Sequence, residues 1–195
     1  MPRPFAARGI AGPAALLVGF AVVIVGAVAT ILVRTPLPPP PAPVVRSWDG
    51  KSTFRCGANE KIALEHVTAA LPEGTAVEAS SRCELELRDV DLTAPVGIDA
   101  GGRARVTITG GRIQAARTAI DATLEARVTA RNATIEAGDT AIRAGINARV
   151  DASGCAVHAT TAVEASMNAV VTMEGAKVEG KTKASSNAKI VGLAR

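Results

Sequence analysis

Residues 119–137 read Ala119-Ile-Asp-Ala-Thr-Leu-Glu-Ala-Arg-Val-Thr-Ala-Arg-Asn-Ala-Thr-Ile-Glu-Ala137. Three short runs can be distinguished in this stretch, at 119–122, 126–130 and 133–137, and in each of them apolar and polar residues alternate. Alternation with a period of two is typical of β-strands whose one face is buried. The stretch therefore predicts three short strands separated by tight corners.

The same pattern recurs every 21 or 22 residues along most of the chain. Three columns of apolar residues keep this spacing over five repeats, and a weaker repeat precedes them while a truncated one follows. The columns are Val77, Ile98, Ile120, Ile142 and Val163; Leu85, Val106, Val128, Val150 and Val171; and Leu92, Ile113, Ile135, Val157 and Val178. Such a period predicts a solenoid in which each repeat forms one coil of three strands and three corners.

Helical alternatives fit this pattern less well, although Ala, Arg and Glu are common. The β-branched residues alternate with polar ones instead of recurring at three and four positions, and glycines interrupt the chain too often for helices of normal length. Leucine-rich repeats share the period, but their Leu and Asn consensus is missing. The sequence therefore predicts an all-β fold, a right-handed parallel β-helix of about six coils covering residues 54–195.

Two segments resemble a known family closely enough to name it. Gly97-Ile-Asp-Ala-Gly-Gly-Arg-Ala-Arg-Val-Thr-Ile-Thr-Gly-Gly111 and Gly145-Ile-Asn-Ala-Arg-Val-Asp-Ala-Ser-Gly154 are similar to right-handed parallel β-helix repeat proteins, the fold shared with pectate lyases. The resemblance covers roughly residues 54–192. It implies a fold and no particular activity, because many members of that fold are not enzymes. The catalytic pattern of pectate lyases cannot be placed on these residues.

The N-terminal part has a different character. Residues 1–8 carry Arg3 and Arg8, and residues 9–33 contain no charged side chain, which is longer than the roughly 20 residues that cross a bilayer. We expect a transmembrane helix or signal anchor at 9–34, with a cytoplasmic N-terminus and an exported domain in the bacterial periplasm or at the cell surface. A cleaved signal peptide is the alternative, since Ala27-Val-Ala29 resembles a cleavage site. Residues 35–53 begin with six prolines in nine positions and predict an extended stalk.

Composition excludes several functions. The chain has one Trp, three Phe and no Tyr, so it lacks the aromatic faces on which single-stranded nucleic acids stack. Residues 44–195 hold 19 basic and 18 acidic residues, so the folded part also lacks the basic excess of a nucleic-acid-binding surface. No Ser or Cys nucleophile has an identifiable His and acid partner. We therefore expect no enzyme activity, no cofactor and no nucleic-acid partner.

Stacking of the coils would align exposed charged residues into columns. Arg105, Arg127 and Arg149 share one column, which we call the arginine strip and predict as a candidate site for a polyanion or a protein partner. An exposed face that only keeps the solenoid soluble is the alternative interpretation. A second column, which we call the acidic column, contains Glu78, Asp99, Asp121, Arg143 and Glu164. A straight column does not converge on an ion as calcium ligands do, so we predict no metal site there.

Cys56 and Cys83 fall near one corner of the first two coils, so we expect them to form a disulfide if the domain is exported. Cys155 aligns with Ala133 and Ala176 and is expected to be a small buried residue.

These expectations leave two classes of function. In the first, the chain is a non-enzymatic, membrane-tethered β-helix that acts as an exported binding or display module. In the second, it is a structural scaffold that associates through its solenoid ends, as in the bactofilins, which its proline-rich flank and aromatic-poor repeats resemble. A polysaccharide-active enzyme ranks last, since aromatic subsites and an acid/base set are missing.

Overall fold

The computed structural model describes residues 42–193, which form a parallel β-solenoid with a coil spacing of about 22 residues and contain no helix. The strands are β1 Val44–Val45, β2 Phe54–Cys56, β3 Lys61–Glu65, β4 Thr68–Ala70, β5 Thr75–Ala79, β6 Glu84–Arg88, β7 Asp91–Ala100, β8 Arg105–Thr109, β9 Arg112–Ala122, β10 Arg127–Arg131, β11 Thr134–Ala137, β12 Thr140–Ala144, β13 Arg149–Asp151, β14 Ala156–Ala165, β15 Val170–Thr172, β16 Lys177–Ala184 and β17 Lys189–Val191. The predicted all-β parallel solenoid is confirmed.

The strands form two parallel sheets. An eight-stranded sheet has the order β1-β3-β6-β8-β10-β13-β15-β17, and it contains the second run of every coil. The other sheet contains the first and third runs, with the path β11-β14-β12-β9-β7-β5-β2, with β16 beside β14 and with β4 beside β7. We call it the nine-stranded sheet.

The predicted columns match the register of both sheets. Val128 pairs with Val106 on one side and Val150 on the other, and Ile120 lies between Ile98 and Ile142 in the same way. These side chains fill one continuous apolar core, from which large aromatic residues are absent beyond Phe54. Because every coil contributes the same three inward positions, neighbouring coils bury each other's apolar residues.

The three corners of a coil differ in shape. Between the first run, which ends at residue 122, and the second run, which begins at residue 126, the corner has three residues. Its last two residues, Leu124 and Glu125, have a left-handed backbone. Between the second and third runs one left-handed residue suffices, such as Asn132. At the third corner the strand continues through a bend, so β7 and β9 each join the third run of one coil to the first run of the next.

The solenoid has about seven coils, so the expected number of about six was too low. The folded part also begins before residue 54, because Val44 pairs with Ile62 and the ring of Trp48 lies 5.6 Å from that of Phe54. Residues 44–53, which the sequence assigned to the stalk, therefore pack on the first coils. The indole nitrogen of Trp48 donates a hydrogen bond to the carbonyl oxygen of Ser52, which fixes the ring in this position.

The predicted cytoplasmic N-terminus at 1–8, the membrane anchor at 9–34 and the proline-rich part of the stalk lie outside the described residues. Within residues 42–193 there is no helix long and apolar enough to cross a bilayer.

Candidate functional site: one edge of the solenoid

The arginine strip is a straight, exposed row on the eight-stranded sheet. Arg127 at the start of β10 pairs in register with Arg105 on β8 and with Arg149 on β13. Successive residues of the strip are therefore about 4.8 Å apart along the solenoid. The row continues to Glu84 at one end and to Val170 at the other, as the sequence columns predict.

Ion pairs neutralise the strip only at its first member. Arg105 donates a hydrogen bond to Glu84 over 3.1 Å, and Lys61 lies 2.8 Å from the other carboxylate oxygen of Glu84. Bonding to Lys61, reinforced by Arg105, lowers the pKa of Glu84. Within residues 42–193, neither Arg127 nor Arg149 forms an ion pair. The positive charges of the second and third members of the strip are thus available to an anionic partner.

A row of exposed apolar side chains runs beside the strip, at the second residue of the three-residue corner. Leu124, Ile146 and Met167 occupy this position in three successive coils and are 52%, 39% and 53% exposed. We call this row the apolar ridge. Isolated exposed apolar residues are ordinary on a protein surface, whereas an aligned row of three is a candidate contact surface.

The backbone of the ridge holds these residues in an unfavourable conformation. Leu124, Ile146 and Met167 all have positive φ angles, and the value for the β-branched Ile146 is 44°. A left-handed conformation costs an L-residue roughly 1–2 kcal/mol, and it is rarest for β-branched side chains. Hydrogen bonds between stacked corners maintain it, since the carbonyl oxygen of each ridge residue accepts from the preceding coil. In other coils the same position carries Gly102 or Ser81, which avoid placing a large side chain there.

Three cavities lie along this edge and meet at Arg103. One of about 460 Å³ extends over small residues towards Leu124 and Ile146. A second of about 380 Å³ lies between Arg103 and Lys61, and a third of about 340 Å³ lies between Arg103 and the arginine strip. Arg103 itself pairs with Glu125 over 2.8 Å. Arg103 therefore lies between a cavity that reaches two ridge residues, Leu124 and Ile146, and a cavity lined by the arginine strip.

The acidic column lies on the opposite side of the ridge, on the nine-stranded sheet. Glu78, Asp99 and Asp121 are stacked neighbours, and Arg143 lies 3.4 Å from both Asp121 and Glu164. Partial burial raises the pKa of Asp99, and the charges of Asp121 and Glu78 raise it further. Burial likewise raises the pKa of Asp121. In the described part of the chain, no group of three or more His, Cys, Asp and Glu side chains is arranged to hold a metal ion.

The structure joins Cys56 and Cys83, whose Cα atoms are 5.8 Å apart. The bond links β2 to the corner before β6 and ties the first coil to the second. Cys155 is buried, and burial raises the pKa of its thiol, so this residue is a poor nucleophile.

Sequence reasoning predicted the arginine strip but missed the ridge. The alternating pattern predicts tight corners between the strands, and it assigns no role to bulky residues within them. The signal was present, because Leu124, Ile146 and Met167 are 22 and 21 residues apart, the spacing of the buried columns. No protein-family model, no curated protein and no solved structure matches this chain.

Proposed function

We propose that this protein is a membrane-tethered β-solenoid that carries an exported interaction surface and catalyses no reaction. The N-terminal segment anchors the chain with its first residues in the cytoplasm. The proline-rich stalk, at about 3.1 Å per residue, holds the solenoid off the bilayer by roughly 28 Å over residues 35–43. The solenoid acts in the periplasm or at the cell surface as a binding or display module.

The observation that carries this proposal is the position of the arginine strip beside the apolar ridge. Arg127 and Arg149 have no ion-pair partner in residues 42–193, and the ridge exposes apolar surface next to them. Together they form a long, narrow surface suited to an extended anionic partner that also offers apolar groups. Charge steers such a partner towards the surface, and apolar contact adds affinity.

We also propose that the solenoid is related to the pectate-lyase-like β-helix fold and that its coils wind in the right-handed sense. Parallel strands joined by a crossover connection are right-handed in about 98% of cases. Ser81 lines the cavity next to Arg103, but the residues lining the three cavities include no histidine that could activate its hydroxyl, which supports a binding role.

End-to-end association is the second candidate, and one observation favours it. In the last described coil, β17 has β15 as its only neighbour and Val191 and Leu193 are exposed. Four lysines on the same coil, Lys177, Lys181, Lys183 and Lys189, oppose the idea, because lysine on edge strands discourages strand pairing. Electron microscopy of the full-length protein decides between the two, since filaments require end contacts.

The strip is tested with heparin as a polyanion probe, using the full-length protein in detergent micelles. Replacing Arg127 and Arg149 by Ser should weaken heparin binding by about tenfold, because two unpaired charges at roughly 0.5–1 kcal/mol each are removed. The matched control is Arg55→Ser with Arg112→Ser, which removes the same charge from residues already paired with Glu78 and Glu136. Equal losses in both double variants would show that only net charge matters and that the strip is no site.

A further inference from the structure

We infer that the anionic partner of this surface is a second copy of the same chain. The two solenoids lie side by side and parallel, with their apolar ridges in contact and the arginine strip of each facing the acidic column of the other. The inference rests on the proposed function, because a shared membrane tether brings the copies together.

The ridge supplies the first argument. Its three apolar side chains are exposed although their left-handed backbone favours glycine, so their presence at these positions points to a contact that the isolated solenoid does not make. The coils repeat at about 4.8 Å. The ridge of a second copy has the same spacing because the two chains are identical, so all three side chains can contact their counterparts simultaneously.

The two sides of this edge supply the second argument, because two neighbouring coils carry opposite charges on them. Asp99 precedes the corner and Arg105 follows it in one coil, and Asp121 and Arg127 take the same places in the next coil. Asp99 has no ion-pair partner in residues 42–193, and the same is true of Arg127. A partner with one basic and one acidic side satisfies both, whereas a uniformly anionic partner leaves Asp99 without an ion pair.

Symmetry then selects the orientation. A two-fold axis parallel to the solenoid axis places Arg105 opposite Asp99 of the second copy, and Arg127 opposite Asp121. A two-fold axis across the ridge would make the pair antiparallel and place strip against strip. The parallel pair opposes two like-charged pairs, Arg149 with Arg143 and Glu84 with Glu78. Arg143 already lies within 3.4 Å of two carboxylates, and both glutamates form ion pairs within their own chain. The parallel pair also brings both first coils to one end, as two chains anchored in the same bilayer require.

The contact is narrow, so the tether matters. A stable interface between soluble proteins buries at least about 1,000 Å², which three ridge residues and their neighbours do not provide. Confinement to one membrane raises the effective concentration of the second copy and allows a weak interface to form. We therefore expect association of the tethered chain and little association in dilute micelles.

The experiment uses the full-length protein in vesicles of neutral phosphatidylcholine, with Cys155 replaced by Ala to remove its thiol. Leu124→Cys and Met167→Cys are each treated with a short bismaleimide, and covalent dimer is measured on denaturing gels. Gln114→Cys, exposed on the nine-stranded sheet away from the ridge, is the matched control. Both ridge variants should give about tenfold more dimer than the control, the factor that a preference of 1.4 kcal/mol produces.

Charge reversal tests the orientation in the Leu124→Cys background. Arg105→Glu and Asp99→Arg should each lower the dimer yield several-fold. The double variant should restore it, because the carboxylate introduced at position 105 then faces the guanidinium introduced at position 99 of the second copy. An arginine at position 99 lies between Glu78 and Asp121. A glutamate at position 105 borders Arg127 on one side and Glu84 on the other, and Glu84 keeps its ion pair with Lys61. Thermal unfolding of each variant checks that the solenoid remains folded.

Each other outcome overturns the inference. Ridge yields equal to the Gln114→Cys control, or a double variant no better than the single ones, would exclude the parallel pair while leaving the proposed function intact. Protection of the ridge thiols by anionic vesicles, without cross-linking, would identify a lipid surface as the partner. Failure of the vesicles to retain the chain would remove the tether, and with it both the proposed function and this inference.

Discussion

The backbone of Ala119 approaches Gly97 so closely that a Cβ atom on Gly97 would lie 2.5 Å from the carbonyl oxygen of Ala119. The two residues belong to neighbouring coils, at the bend that joins the third run to the first. Gly97→Ala should therefore destabilise the protein by about 1–3 kcal/mol, because the coil spacing must yield at a buried site. The measurement is the free energy of unfolding by urea.

Gly57→Ala is the control for this change. A Cβ atom on Gly57 has the side chain of Glu60 as its nearest neighbour, at 3.6 Å, so we expect little effect on stability. Equal stability of the Gly97→Ala and Gly57→Ala variants would show that the coils are not tightly stacked at this bend.

The sequence predicted the sheet registers well, and the reason is physical. In a solenoid each buried position recurs at the coil period, so Val106, Val128 and Val150 reveal their alignment by spacing alone. The start of the fold was harder to predict. Trp48 packs onto Phe54 from a segment that follows a proline-rich stretch and carries no repeat, so its contact could not be inferred from periodicity.

The candidate site was predicted in part for the same reason. The arginine strip follows the strand period and was visible as a column. The ridge depends on the shape of a corner, where Ile146 adopts a left-handed backbone that its side chain disfavours. A residue that contradicts the local preference is interpreted correctly only when its backbone angle is known.

Loss of the disulfide should destabilise the first coils. Cys56 and Cys83 are 27 residues apart, and a loop of that size corresponds to about 3–4 kcal/mol in the chain-entropy account. Cys56→Ser should lower the unfolding midpoint accordingly, whereas Cys155→Ala, in a column with Ala133 and Ala176, should change it much less. Mass spectrometry without reductant tests the pairing directly, and two free thiols at these positions in the exported protein would contradict it.

Ile146→Gly should make the solenoid more stable and its association weaker. Glycine relieves a left-handed conformation worth about 1 kcal/mol and leaves the buried core unchanged. The same change removes the middle side chain of the ridge. The midpoint of thermal unfolding should rise while the yield of cross-linked dimer in vesicles falls. A purely structural role of Ile146 would not produce these opposite changes.

Thr129→Gly is the comparison for that variant. Thr129 lies within β10, where the backbone is extended, so glycine there should destabilise by roughly 0.5–1 kcal/mol. Stabilisation by both substitutions, or by neither, would show that the strain at Ile146 is not what sets its effect.

Two aspartates should respond to pH in opposite ways. The guanidinium of Arg131 and both the hydroxyl and the backbone N–H of Ser153 donate to Asp151, and bonding to Arg131 in particular lowers the pKa of Asp151 to about 2. Its carboxylate thus stabilises the fold above about pH 4, and this contribution is lost as the pH falls towards 2. For Asp99 burial raises the pKa, so the ionised form opposes folding at neutral pH.

Asp151→Asn should therefore lower the urea midpoint at pH 7, and Asp99→Asn should raise it. Both differences from the parent protein should shrink on acidification. That of Asp99→Asn falls as the pH drops through the raised pKa of the folded chain and is lost well below the ordinary value of 3.8, where this aspartate is neutral in the folded and unfolded chains alike. Urea midpoints measured from pH 7 down to pH 3 test both expectations. Destabilisation by Asp99→Asn at neutral pH would mean that the Asp99 carboxylate has a favourable partner, which Arg105 of the second copy would provide in the membrane-bound pair.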